Sequence, residues 1–129
     1  MVETTQQEKQ ALRQLKIKTG ICTRSVKDHQ SYKKEKTQLE EKIEKLKAEG
    51  TEEGVLNRYE QDLADTIAML PKLRSKIEEG VDGLEGTMGE AEEAGVVNDE
   101  FKAKDEWTKA AEAIKAANDY IENEAPDGL

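Results

Sequence analysis

The 129-residue chain carries 20 Lys and Arg against 29 Asp and Glu, a net charge of −9, and 38% of it is charged, well above the roughly 25% of ordinary globular domains. It has one Trp, three Tyr and one Phe, too few aromatics for a sandwich or a wide α/β core, and about half of it is Ala, Glu, Lys, Leu and Arg, the composition of long helices. Leu, Ile, Val and Phe together reach only 24 residues, near the level at which disorder competes with folding, so their spacing decides the outcome.

From Leu12 that spacing is helical. Leu12, Leu15, Thr19, Cys22, Val26, His29 and Tyr32 recur at steps of three and four, and the stripe continues through Lys36, Leu39, Ile43 and Leu46. Two successive steps of three at His29 and Tyr32 are a stammer, a local overwinding of a heptad seam. Thr5-Gln6-Gln7-Glu8 reads as a capping box and Gly50 as a stop, so a first helix is expected over about residues 5–49.

A second seam runs Leu56, Tyr59, Leu63, Ile67, Leu70, then Arg74, Ile77, Val81, Leu84, Met88 and Ala91. Thr51 is its expected N-cap and Gly95 its expected stop, giving a helix over about residues 52–93. Pro71 lies inside it, but the seam holds phase across the proline, which predicts a kink rather than a break. Gly80, Gly83, Gly86 and Gly89 follow at three-residue steps. That spacing drifts around a helix, forms no single face and predicts a soft end to the second helix.

A third helix is expected over about residues 98–124, capped by Asn98 or Asp99, with Phe101, Lys104, Trp107, Ala111, Ile114 and Ile121 as its buried stripe. The connections at Gly50–Thr51 and near 94–98 are short, which makes consecutive helices antiparallel neighbours. The expected fold is all-α: one domain over residues 1–129, an elongated antiparallel three-helix bundle with coiled-coil-like packing and a second helix kinked at Pro71.

Several functions are excluded by what the sequence lacks. The longest stretch free of Asp, Glu, Lys and Arg is Thr66–Pro71, so no membrane span is expected. The opening Met-Val-Glu-Thr-Thr has neither part of a signal peptide. A single cysteine suits a reducing compartment, and a net acidic chain is a poor general partner for nucleic acid. Cys22 and His29 are the obvious catalytic candidates, yet both lie on the seam, about 10 Å apart along the helix axis, with no other Cys or His to complete a metal site. Gly80-Val81-Asp82-Gly83 lacks the Gly-Lys-Ser/Thr ending of a phosphate loop and follows a helix. The reading is a non-enzyme with no cofactor and no metal.

What remains is surface. Residues 1–49 hold 12 basic and 8 acidic side chains, net +4, whereas residues 50–129 hold 8 and 21, net −13. Ile17 and Ile21 fall outside the first seam, around Gly20, with Lys16, Lys18, Arg24, Lys27 and Lys34 nearby. Either the third helix or a second copy covers this short apolar stripe, or it is exposed for a partner.

At the same residues the chain resembles a known family. Lys16-Ile17-Lys18-Thr19-Gly20, then Arg24, Lys27, Tyr32, Lys34-Glu35, Glu41-Lys42-Ile43-Glu44-Lys45 and, further on, Met69-Leu70-Pro71 are similar to tubulin-binding cofactor A, the tubulin-specific chaperone A family. The likeness covers about residues 14–93; Lys72 and Gly54-Val55 depart from the family's usual residues. The resemblance implies a small cytoplasmic, cytoskeleton-associated chaperone of three helices. It implies a partner in β-tubulin, held on the way to the α/β-heterodimer without nucleotide, and other tubulin-folding cofactors as further partners. Candidate binding residues are Lys16, Ile17, Lys18, Ile21, Arg24, Lys27 and Lys34, with Arg58 and Tyr59 on the second helix as the second choice. The chain is read as monomer or homodimer, with no nucleic acid or membrane partner. The alternative reading is a structural, spectrin-like or self-associating coiled-coil module.

Overall fold

The computed structural model describes residues 2–124, with side chains from residue 6 onward. Four helices follow one another: α1 over Val2–Ala48, α2 over Glu53–Glu93, α3 over Asp99–Lys102 and α4 over Asp105–Glu124. At 1.5 Å per residue α1 is about 70 Å long and α4 about 30 Å.

Two glycine-centred reversals create the bundle. Gly50 has φ 71° and Gly95 φ 75°, a left-handed conformation that costs glycine nothing and other residues much. At the end of α1 the Thr51 N–H donates to Leu46 O and the Gly50 N–H to Lys47 O; at the end of α2 the Val96 N–H donates to Ala91 O and the Gly95 N–H to Glu92 O. Both are Schellman closures, and the second is sealed by burial of Val96 and Ala91. The expected stops therefore stand, but two expected starts do not. α1 extends back past Thr5, so no capping box begins it. At α2 the N-cap is Glu52 rather than Thr51, without a side-chain cap, because the first intrahelical bond, donated by the Leu56 N–H, is accepted by Glu52 O.

α2 passes through Pro71 unbroken, and Pro71 itself is exposed, so its ring displaces no packed neighbour. The four glycines do not interrupt α2 before Glu93 either. Gly80 is buried, and a Cβ placed on it would lie 3.2 Å from Cys22 Cα. Here α1 and α2 approach so closely that their backbones leave no room for a side chain.

The third expected helix is two. Asn98 caps α3, its side chain accepting from the Phe101 N–H at 2.8 Å. After one turn the chain bends at Ala103 and Lys104 before α4 begins with Asp105 and Glu106 in its first turn, where negative charge suits the helix dipole. The corner lets Phe101 bury fully while Trp107 meets it edge-on, with ring centroids 5.8 Å apart at 72°. Within α4 the buried alanines are Ala110 and Ala117, and Ala111 is exposed. The expected stripe took the wrong alanine because a run of small residues offers no contrast in size to fix its phase.

Contacts between helices fix their directions. Lys47 reaches Glu60 and Cys22 meets Gly80, so α2 returns antiparallel along α1. Cys22 Sγ faces Ala113 O at 3.9 Å, His29 Nδ1 lies 2.7 Å from Tyr120 Oη, and Lys33 pairs with Glu124. Each pair is 91 residues apart, so α4 runs parallel to α1 in constant register and ends beside Lys33. The main core lies under α4, around Leu15, Cys22, Ile77, Leu84, Phe101 and Ala117. Each large apolar side chain there contributes about 1.5–3 kcal/mol by leaving water. Ile43, Leu70 and Leu73 are buried further along the α1–α2 hairpin, outside that cluster.

Candidate functional site

Cys22 and His29 are fully buried and engaged in packing. Burial pushes the Cys22 thiol above its ordinary range, opposite to what a reactive thiolate needs. Tyr120 is likewise raised, by burial and then by the nearby Glu124 charge. Among the described residues no three His, Cys, Asp or Glu side chains group so as to hold a metal, and no helix is long and apolar enough to cross a membrane.

The outer surface of α1 offers more. Because α4 lies along the flank of α1 that carries Cys22, His29 and Lys33, it leaves Ile17 and Ile21 uncovered. They are 47% and 42% exposed, and with Val55 they are the exposed large aliphatic side chains of the described chain. Spaced four apart, they stack on one side of the helix. Lys16, Arg24, Lys27 and Lys34 are exposed and Lys18 is half-buried. Among the described residues none of these five pairs with a carboxylate within 4.0 Å.

The candidate residues do not all converge. Lys18 and Ile21 line a hollow against α2 with Ser25, Lys76, Glu79, Gly80 and Gly83. Lys16 turns the other way, into a hollow with Thr19, Asp105, Glu106 and Lys109 at the start of α4. Lys34 lies at the far end of α4, beside Gln30, Lys33 and Tyr120. Arg58 is exposed and Tyr59 half-buried. The Lys47–Glu60 pair places both near the hairpin tip, roughly 35 Å along α1 from Arg24. Lys76 and Ser25 escaped the sequence reading, which took Gly83 only as one of the spaced glycines. Only the pairing of α1 with α2 through Gly80 brings them beside Ile21.

Fold and surface together define the class: a slim helical bundle whose accessible chemistry is an apolar and basic face rather than an enclosed pocket. The chain belongs to the tubulin binding cofactor A family, whose family model matches residues 10–114. It is 42% identical over 67 residues to a tubulin-specific chaperone A of Bos taurus, a match covering 52% of this chain and 62% of that relative. The human tubulin-specific chaperone A is 40% identical over the same length. A tubulin-folding cofactor A of Arabidopsis thaliana is 34% identical over 82 residues, covering 64% of this chain and 73% of the relative. The chain thus spans about 62% of the length of the mammalian relatives it matches. The crystal structure of tubulin folding cofactor A from Arabidopsis thaliana superposes with a TM-score of 0.72 at 28% identity, covering 84% of this chain and 96% of that one.

Proposed function

We propose that this protein is a tubulin-folding chaperone that binds and holds β-tubulin on the way to the α/β-heterodimer, in the cytoplasm and alongside other tubulin-folding cofactors, by surface complementarity and without nucleotide hydrolysis. The observation that carries this reading is the exposed pair Ile17 and Ile21 set among cationic side chains without ion-pair partners. In a chain of net charge −9, such a patch attracts an acidic client locally while the rest of the surface repels it. Charge guides the encounter and sets its salt dependence, and the isoleucines supply contact that gains from losing water. Lys27 and Lys34 extend the basic face along α1. The family to which the chain belongs, and the names of its relatives, support tubulin as the client.

The deciding experiment is co-elution of the purified chain with β-tubulin at low and at high salt. Wild type should form a complex that weakens as salt rises. Lys18→Glu with Arg24→Glu should weaken it at low salt and flatten that dependence, with the melting temperature unchanged. A chain that never co-elutes with β-tubulin is a structural coiled-coil module instead. Binding that ignores the charge reversal moves the site to Arg58 and Tyr59.

A further inference from the structure

The 47 residues of α1 include a single glycine, Gly20. Glycine inside a helix weakens it, and the fold supplies no reason for this one: it is exposed, and a Cβ on it would meet nothing within 4 Å. Gly80 differs, since the backbone of α1 lies against it. Gly83, Gly86 and Gly89 also face open space, but Glu79, Asp82, Glu85, Glu90 and Glu93 lie one turn from them, with no large exposed aliphatic group beside them. Gly20 has the exposed Ile17 and Ile21 beside it.

Arg13, Ile17, Gly20, Arg24 and Lys27 follow alternating steps of four and three. They fall within about 80° of one another around the axis, opposite Leu15, Cys22 and His29, and form a ridge about 21 Å long. All five are exposed. Ile17, Gly20, Ile21 and Arg24 stand at i, i+3, i+4 and i+7, the four corners of a hole that a side chain of a facing helix fills. With glycine at one corner, a partner's backbone approaches α1 more closely than any other residue would allow. Between Glu8 and Asp28, α1 carries Lys9, Arg13, Lys16, Lys18, Arg24 and Lys27 and no carboxylate. Among the described residues Arg13, Lys16, Arg24 and Lys27 pair with no carboxylate within 4.0 Å. Acidic groups of the other helices stand at the margins of the ridge: Asp105 and Glu106 beside Lys16, and Glu79 beside Lys18 and Ile21.

We infer that Gly20 marks where a helix of the client crosses α1 at closest approach: an amphipathic helix that sets one large apolar side chain between Ile17 and Ile21 and carboxylates against Arg13, Arg24 and Lys27. The inference rests on the client reading above and adds to it the partner's element, its chemistry and the point of contact. Charge argues for the client over a second copy of this chain. A two-fold contact would lay the ridge against itself, cation on cation, whereas an acidic helix neutralises it.

The test is a size series at one position, Gly20→Ala and Gly20→Leu. Both replace a helix-weakening residue where a Cβ meets no neighbour, so both melting temperatures should equal or exceed that of wild type. With purified β-tubulin as probe, Gly20→Leu should raise the Kd by about tenfold or more, as loss of a central contact does, and Gly20→Ala by less. Gly86→Ala, in open space on α2, should leave the Kd unchanged. The gain in stability with a loss of binding is the signature of a glycine kept for its partner. Wild type that binds β-tubulin no better than Gly20→Leu overturns the close approach while the client reading stands. Losses of equal size in Gly20→Ala and Gly20→Leu report stiffening of α1 rather than a filled hole, and overturn it too. Wild type that does not bind β-tubulin overturns both readings. A wild-type dimer by light scattering that becomes a monomer on Gly20→Leu assigns the hole to a second copy and overturns the inference as well.

Discussion

His29 Nδ1 and the Tyr120 hydroxyl lie 2.7 Å apart, their rings edge to face at 79°, and this pair fastens α4 to α1 near the end of its run. A buried imidazole needs its polar atoms satisfied, so the bond matters more for what its loss exposes than for its own strength. Tyr120→Phe keeps the ring and removes the hydroxyl. It should cost about 1–3 kcal/mol in urea unfolding, with helix content by circular dichroism unchanged.

The two raised acidities fix a direction with pH. Cys22 and Tyr120 both hold their proton more tightly folded than unfolded. Their contribution is complete below the unfolded values, 9.0 for Cys22 and 10.0 for Tyr120, and is lost as pH rises through the higher folded values. Thermal stability should not change on account of these groups near neutral pH and should fall in alkaline solution. Cys22→Ala should delay the onset of that fall. In the same range a thiol reagent should label Cys22 of wild type only as fast as the chain opens.

Two glycines should respond in opposite directions. Gly86→Ala adds helix propensity in open space and should gain up to about 1 kcal/mol. Gly80→Ala gains the same propensity but drives its methyl towards the backbone of α1 at Cys22, an overpacking that costs about 1–3 kcal/mol. The difference between the two variants in denaturant midpoints should therefore be about 1–3 kcal/mol, with Gly80→Ala the less stable.

Pro71 leaves the carbonyl four residues before it without an intrahelical donor. Pro71→Ala should restore that bond and hold or raise the melting temperature. On the proposed function, a bend at Pro71 that shapes the binding surface predicts that β-tubulin capture falls in this variant. Unchanged capture would make Pro71 a packing feature only.

Ile17→Ser separates surface from core. At 47% exposure Ile17 supports little of the fold, and the melting temperature should move by no more than about 0.5 kcal/mol equivalent. Affinity for β-tubulin should drop.

Large residues at regular spacing made most of the fold legible. Leu15, Cys22, His29, Ile77 and Leu84 were assigned to seams and are buried, and Gly50, Gly95 and Asn98 end or cap helices as expected. Small residues hid the rest. Ala110 and Ala111 are indistinguishable by type, and the bend at Ala103 carries no glycine or proline to announce it. Gly80 gave no hint by spacing, because its reason is the α1 backbone beside it, a contact between residues 58 apart in sequence. The candidate face was half visible for the same cause. Ile17 and Ile21 stood out as apolar residues off the seam, whereas Lys76 and Gly83 acquire meaning only once α2 is laid beside α1.

Because α4 ends beside Lys33, the bundle is three helices thick at its base and only two at its tip. Backbone amides under α4 are shielded by packing from two directions, and those near Ile43 and Leu70 from one. Such a gradient in burial becomes a gradient in local opening free energy. Amide hydrogens of the tip should exchange with solvent deuterium through partial unzipping of the hairpin, long before those around Cys22 and Ile77, which await global unfolding. The molecule thus combines a firm handle with a fraying tip, and a client seated at the base would leave the exchange of that tip almost unchanged.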